Sequence, residues 1–532
     1  MTLPTPRVTR GELALLAALV GWGLFPVVLL LIHAADTHTR LTGADGLIGA
    51  DGELGGDQLQ YLAWIRDASA HGLAADLFRL TDIRRVYLQP LFTISGGLYR
   101  LGVPLPVAYM VFKPVAIAVL GAGAVAWARR MFGGQAGARA ATVALCLFLS
   151  VPATELFGWT HTGKGGLAFP LFLLGSELHG ADKVWGYVPS AIALGLMPIA
   201  LLATERALAI AAAGRSSRAR RVGPLALATT AALIASWLHP WQGVTLILIL
   251  VGLAGLRRGR GLTTLAAPAV AAGLPLLYYY VLSHADPAWS LASTYEATRR
   301  APAITLIVGF GPLALIAAPG LRRPRGEMIE QALLLWIAAT FINYFLNDSF
   351  PPHAYQGLAF PVSVLAVRGF QRLRLPALVG WLAVGLLTIP GMVSDARKLV
   401  RTFDKPLVQY YLPHDDVAAL IWVTHHAPLG GVLAPTPFAS VIPSQTGRAV
   451  WVGNGYWSRD YPEQSKLAKR LFRGHMRPPV VRSFVAGTGA RILVADCGHR
   501  TDLTQALGPM LATTQTFGCA RVYVLTPRER SR

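Results

Sequence analysis

The stretch GGDQLQYLAWIRDASAHG, residues 55–72, holds the leading candidate for a chemical role, Asp57. A carboxylate placed there can take a proton from an attacking hydroxyl as a general base. It can equally be the N-cap of the helix that follows, its oxygens spent on backbone N–H groups. The two roles conflict, because accepting those N–H bonds lowers a carboxyl pKa and weakens it as a base. Tyr61, Trp64, Ile65 and Ala68 fall at i, i+3, i+4 and i+7, with Gln58, Gln60, Arg66, Asp67 and Ser69 at polar positions. This spacing predicts a short helix lying on an apolar boundary, opened near Asp57 and stopped by Gly72, with Tyr61 among its ligand-facing candidates. The N–H groups at such a helix start suit an anion such as a phosphate. Asp36, Asp45, Asp51 and Glu53 are rival carboxylates in the same region.

Basic and aromatic groups recur at the edges of other apolar runs. In GWTHTGKGG, Gly158 and Gly163-Lys164 reproduce part of a nucleotide phosphate loop, yet Gly165 fills the required Ser/Thr position and no strand precedes it. His161 and Lys164 read instead as contacts to a phosphate or sugar, or Lys164 as an interfacial cation that snorkels. His239, in SWLHPW, sits where two apolar runs meet, and an ionisable group at such a depth is a functional hypothesis, whereas the flanking Trp237 and Trp241 suit anchoring. The same argument selects His353, Tyr355 and Gln356 in NDSFPPHAYQG, where two prolines fix the turn. Arg299 and Arg300 offer guanidinium donors to a phosphate. No HExxH, paired CxxC, nucleophile elbow or dinucleotide fingerprint stands in a credible context, so no metal ligands are assigned. His425/His426 and Cys497-Gly498-His499 suit loop or helix-surface roles better than metal binding.

The elements that must position these groups are set by composition. With 532 residues, 53% hydrophobic content, 14% charged residues and mean hydropathy +0.47, the chain is too apolar for a soluble enzyme of its size. Eleven apolar stretches read as membrane helices: 12–32, 106–128, 140–157, 184–212, 223–239, 241–256, 262–283, 303–320, 328–346, 357–370 and 376–394. The first follows Arg7 and Arg10 and reads as a retained anchor rather than a cleaved leader. The net charge of +21 comes from short clusters between apolar runs, not from a continuous basic face, which excludes nucleic acid as the expected partner.

Those clusters (Arg7/Arg10, Arg129/Arg130/Arg139, Arg215–Arg221, Arg257–Arg260, Arg322–Arg325 and Arg368–Arg374) fall on alternate connections, which assigns them to the cytoplasm. The N-terminus is then cytoplasmic. The opposite connections, including a long loop 33–105 and everything after 394, face the exterior and carry all the unusual polar groups. From 395 to 532 the pattern turns to short β-rich runs (GVLAPTP, RAVWVG, RILVAD, ARVYVL) between helix-like stretches, which predicts a small exterior α/β domain. Cys497 and Cys519 lie in it, and their pairing is left open. The expected fold is therefore mainly α: a polytopic bundle over 1–394, an exterior juxtamembrane helix, and a C-terminal α/β domain.

This layout resembles the GT-C glycosyltransferases, integral membrane enzymes that use polyprenyl-phosphate sugars. The likeness rests on GGDQLQYLAWIRDASAHGL after a first span, the Pro-containing return YLQPLFTISGGLYRLG, many further spans and the exterior C-terminal domain. More narrowly, SWLHPWQG, FPPHAYQGLAFPVSVLAVRG and the tail from PFASVIPSQTGRAVWVG to RILVADCGH look like uncharacterised actinobacterial members. The resemblance implies transfer of a sugar from a polyprenyl-phosphate donor to an envelope glycan, lipid or protein, with membrane lipids as surroundings. It gives Asp57 the role of base. Lys164, His239, Arg299 and His353 are the candidates for holding the lipid phosphate. Gln58 stands where several branches carry a second acid, so a divalent metal is an open cofactor and loss of activity is a second outcome. A transporter or flippase of lipid-linked glycans is the rival class, for which Lys113, Glu177, Glu205 and Glu330 are charges inside or beside spans.

Overall fold

The computed structural model describes residues 8–37, 39–41, 50–52, 55–151, 174–213, 218–295, 300–321, 327–374 and 376–527. Among them, eight helices are long and apolar enough to cross a membrane: Arg10–Thr37, Leu105–Phe132, Val188–Ala212, Arg221–Leu238, Leu262–Ala285, Ala303–Gly320, Met328–Leu346 and Ala377–Phe403. The other three expected spans are shorter helices, Ala136–Phe148, Pro240–Leu256 and Ala359–Arg372. At 1.5 Å per residue these three fall short of the roughly 30 Å apolar layer. Large apolar side chains on the long helices stay uncovered, for example Ile307 at 65% and Leu346 at 68% exposure. Such faces suit lipid, and the chain is a multi-pass membrane protein.

Chain contacts divide the molecule into two compact units. The first comprises residues 1–25, 112–281 and 297–398 and holds most of the apolar helices. Helices Leu105–Phe132 and Val188–Ala212 meet at Gly123 and Gly195, where a Cβ on either would collide with the other's backbone. Three arginines of the basic connections pair with acids from other helices. Arg139 Nη2 lies 2.6 Å from Glu12, Arg130 Nη2 2.7 Å from Glu205, and Arg368 binds Glu330 through both terminal nitrogens.

The second unit comprises residues 26–111, 282–296 and 399–532. Helix Gly55–His71 is followed by Pro90–Arg100, which starts where the sequence places its stop and start signals: Gln89 Oε1 accepts the Phe92 N–H at 3.0 Å, and Pro90 occupies the first turn. Strand β1 (Arg40–Leu41) pairs antiparallel with β2 (Tyr411–Leu412). A four-stranded sheet has the order β3 (Val432–Leu433), β4 (Ile492–Ala495), β6 (Ala520–Leu525), β5 (Leu511–Phe517), with only β3–β4 parallel. Helices His414–His425 and Tyr461–Phe472 match the expected helical stretches. RAVWVG, expected as a strand, contributes only a bridge from Val450 to Val432. Cys497 and Cys519 are joined by a disulfide, and Asp416 and Asp415 accept their backbone N–H groups at 2.9 Å.

Candidate functional site

In the first unit, ionisable groups converge on the segment SELHGADKV, residues 176–184. Glu177 lies near the end of a helical run at 174–178, and a single 3-10 turn, Gly180–Val184, follows. This tight geometry turns Glu177 and Lys183 to one cluster and His179 and Asp182 to another.

In the first cluster the buried Glu177 carboxylate accepts from the Gln356 amide, lies 3.1 Å from His353 Nδ1 and 3.5 Å from Lys183 Nζ. Burial pushes Glu177 up, but Lys183 and His353 outweigh it and hold the carboxyl well below the usual range. The prolines of PPHAY form a 3-10 turn that presents His353, entered through Phe350 at φ 38°, a strained backbone for a residue with a side chain. The His353 ring packs edge-on to Trp241 at 4.7 Å and to His239 at 5.3 Å. His239 precedes helix Pro240–Leu256, where Pro240 takes the first position without losing a needed N–H bond. The imidazole is 5% exposed, and among the described residues its Nδ1 has no hydrogen-bond partner. Burial, with His353 and Lys183 adding to it against Glu177, drives its pKa well down, so it stays neutral. One cation, one neutral ring and one further histidine thus surround a carboxylate that is already satisfied. The arrangement can receive a phosphate oxygen.

In the second cluster His179 Nδ1 stands 2.9 Å from Asp395 and 3.1 Å from Asp182. Lys398 Nζ reaches the other Asp395 oxygen at 3.0 Å, and Trp22 Nε1 donates to Asp182 at 3.3 Å. Burial lowers the His179 pKa, but the two carboxylates prevail and raise it to about 10. Burial, reinforced by Asp395, raises Asp182 to about 6. The ligand atoms of His179, Asp182 and Asp395 lie within 4.8 Å of one another, an N/O set that fits a divalent ion in place of the imidazolium proton.

The second unit carries Asp57. Helix Gly55–His71 begins two residues before it, so Asp57 occupies the first turn, half-buried, rather than the N-cap position. The Gln58 amide oxygen accepts from Asp51 and Gly52 N–H, while the Tyr410 hydroxyl accepts from Gly55 N–H at 3.0 Å and donates to Gly52 C=O at 2.7 Å. Three of the helix's polar positions are buried: Gln58 and Gln60 pack inside, and Asp67 accepts from Ala75 N–H at 2.8 Å and faces Arg85 at 3.2 Å. Tyr61 lies in an aromatic group with Phe92 at 5.0 Å and Tyr109 at 6.1 Å, and Trp64 contacts Trp457 at 5.2 Å and Trp289 at 5.9 Å. Nearby, burial raises Asp76 to about 7, with Asp286 adding to it against the Phe78 N–H and Arg79.

The structure therefore brings His239, His353 and Gln356 together. It places Tyr355 apart, in an aromatic group with Tyr344 at 4.8 Å and Phe310 at 4.9 Å. Arg300 spends donors on Phe345 C=O at 2.8 Å and on Asp348 at 2.7 Å. His161, Lys164 and Arg299 lie outside the described residues. Sequence reasoning noted Glu177 only as a charge beside a span and missed His179, Asp182, Lys183 and Asp395. The available signal was four ionisable residues within 177–183, between apolar runs.

Neither a family pattern nor a curated protein sequence matches the chain. Solved structures do. An archaeal oligosaccharyltransferase, AglB from Archaeoglobus fulgidus, in complex with an inhibitory peptide and a dolichol-phosphate, superposes with TM-score 0.51 at 12% identity over 93% of this chain and 70% of that one. ArnT from Cupriavidus metallidurans bound to undecaprenyl phosphate gives TM-score 0.50 at 13% identity over 95% and 99%. Both are GT-C proteins, and the chain has the GT-C fold.

Proposed function

We propose that the chain is an inverting glycosyltransferase that moves one hexosyl or pentosyl unit from a polyprenyl-phosphate donor to a glycan, lipid or protein acceptor of the cell envelope, at the exterior membrane face. The fold is the observation that carries this reading, since it is shared with two proteins seen with a polyprenyl phosphate. In this reading the acceptor oxygen attacks the anomeric carbon, the bond from that carbon to the phosphate oxygen breaks, and the lipid phosphate leaves. Asp57 takes the acceptor proton as general base. Lys183 and His353 meet the charge on the leaving phosphate, and neutral His239 donates a hydrogen bond to it. Lys164, His161, Arg299 and Arg300 remain proposed phosphate or sugar contacts, with Tyr61, Tyr355 and Gln356 as proposed substrate contacts. A divalent metal, held by His179, Asp182 and Asp395, would supply Lewis-acid stabilisation of phosphate oxygens.

The Cys497–Cys519 disulfide supports an exterior C-terminal domain and a cytoplasmic N-terminus, because such bonds persist in oxidising compartments. Two of the acids that would have argued for transport, Glu205 and Glu330, are paired with Arg130 and Arg368 at helix ends. The deciding experiment incubates the chain in lipid nanodiscs with labelled polyprenyl-phosphate sugars and envelope acceptors, wild type beside Asp57→Asn. Transfer by the wild type and its loss in the variant is the expected result. Equal transfer by both removes Asp57 from the mechanism, and no transfer with any donor overturns the enzyme reading in favour of transport or an inactive scaffold.

A further inference from the structure

The second unit contains a cavity of about 250 Å³ that shares no residue with the clusters above or with Asp57. Helix Gly55–His71 supplies Arg66 to its wall, Pro90–Arg100 supplies Tyr99, and Ile442–Thr446 supplies Gln445. Helix His414–His425 supplies Val417, Leu420 and Ile421, spaced i, i+3 and i+4 so that they form one apolar stripe. Ile421 stays 46% exposed at this wall, whereas Val417 and Leu420 are buried.

The polar side has a definite sign. The Arg66 guanidinium stands 5.4 Å from the centre of the Tyr99 ring, which steadies its plane. Gly447, at φ 70°, lies beside the Arg66 stem. Gln445 adds a buried amide, and among the described residues no carboxylate lines the cavity. A permanent cation with planar donors matches a carboxylate or phosphate, and the opposite stripe matches hydrocarbon. The volume is below the roughly 300–1,000 Å³ of sites for drug-sized ligands, which restricts the occupant to a short body.

We infer that this cavity is a binding site for a small amphiphilic anion, its carboxylate or phosphate on Arg66 and its apolar body against Val417, Leu420 and Ile421. A soluble organic anion and a lipid headgroup share this chemistry. The inference does not depend on glycosyl transfer. Arg66 lies nine residues beyond Asp57 on the same helix, about 14 Å along its axis, so an occupant would bind to the helix that carries the proposed base.

The test uses the full chain in nanodiscs of neutral phosphatidylcholine, with hexyl phosphate as probe, followed by calorimetric titration and by amide hydrogen exchange. Saturable binding is expected, with exchange slowed in residues 414–425 and 61–71, and with 1-hexanol and inorganic phosphate each bound at least about 10-fold more weakly. Arg66→Gln should lose about 10-fold or more in affinity, and Ile421→Trp should fill the space and abolish binding, both variants unfolding thermally with the wild type. Absence of saturable binding, equal binding of hexanol, or wild-type affinity in either folded variant overturns the site. Repeating the titration with phosphatidylglycerol in the disc separates the sources: loss of hexyl phosphate binding, with the same peptides already protected, assigns the site to a lipid headgroup, and unchanged binding assigns it to a soluble anion.

Discussion

The segment 177–184 and the helix 55–71 both place several polar side chains out of water, and they use them in opposite ways. Around 177–184 charge meets charge: Glu177 with Lys183 and His353, and His179 with Asp182 and Asp395. Along 55–71 polar side chains serve the backbone, with Gln58 on Asp51 and Gly52 and Asp67 on Ala75. A backbone-serving group fixes shape and has little left to offer a ligand. A charge cluster whose partners include a histidine with an unsatisfied ring nitrogen can rearrange around an incoming anion. Asp57 lies in the first turn of the second region's helix, and as the proposed base it is the sharpest point at which to break the contrast.

The largest effect is expected there. Asp57→Asn should lower transfer by about 10²–10⁴-fold, the usual worth of a general base, while leaving thermal unfolding unchanged. Gln58→Ala should do the reverse, unfolding at lower temperature because the Asp51 and Gly52 N–H groups lose their acceptor, at a cost of about 1–3 kcal/mol. If Asp57→Asn instead destabilises and Gln58→Ala does not, the two regions are not distinguished in the way drawn here.

The charge cluster is tested next. Glu177→Gln leaves Lys183 buried without its counter-charge, and breaking such a pair typically costs about 3–5 kcal/mol. Chemical unfolding in a fixed detergent should show that loss, and Glu177→Gln with Lys183→Met should recover part of it. A double variant as unstable as the sum of its parents would show that the two side chains do not act as a pair.

Much of this was legible in the sequence, for reasons that also explain what was not. A span advertises itself through about twenty apolar residues, so each of the eleven stretches overlaps a helix among the described residues, even where three are short. His239, His353 and Gln356 were legible because polar groups at span ends are conspicuous. Asp182 and Lys183 sit in one 3-10 turn and His179 caps it, a unit too short for any periodicity to register, and Asp395, 216 residues from His179, joins them only through folding. The start of helix 55–71 was misplaced by two residues because Gly55 and Gly56 carry no helical signal, and the N-cap assignment depended on that start. Strand β5, LATTQTF, was missed because its polar residues face water at the sheet edge.

Acidity separates the regions further. The folded chain holds the Asp76 proton up to about pH 7, against an ordinary value of 3.8. The folded state therefore binds this proton more tightly than the unfolded one, and the group's contribution to stability falls as pH rises from about 4 to 7. Asp76→Asn keeps an oxygen for the Phe78 N–H and should stabilise the second unit at pH 8 with no gain below pH 4. Unfolding midpoints across that range check it, and a gain that is independent of pH would rule out protonation as the cause.

The smallest effect on stability is expected at Arg300, and it decides whether that side chain belongs to a site at all. Its guanidinium reaches Asp348, but both partners are substantially exposed, 40% and 84%, so the pair is screened by water and salt. Exposed pairs contribute about 0–1 kcal/mol. Arg300→Gln should thus leave the unfolding midpoint almost unmoved, since its bonds to Phe345 and Tyr344 carbonyls cap a helix end that water can also serve. If Arg300 contacts the donor phosphate as proposed, the same variant raises KM for the polyprenyl-phosphate sugar and blunts its dependence on ionic strength, with kcat nearly unchanged. An unchanged KM in a variant of unchanged stability would leave Arg300 as a helix-end cation and confine phosphate recognition, among the described residues, to the group around His239 and His353.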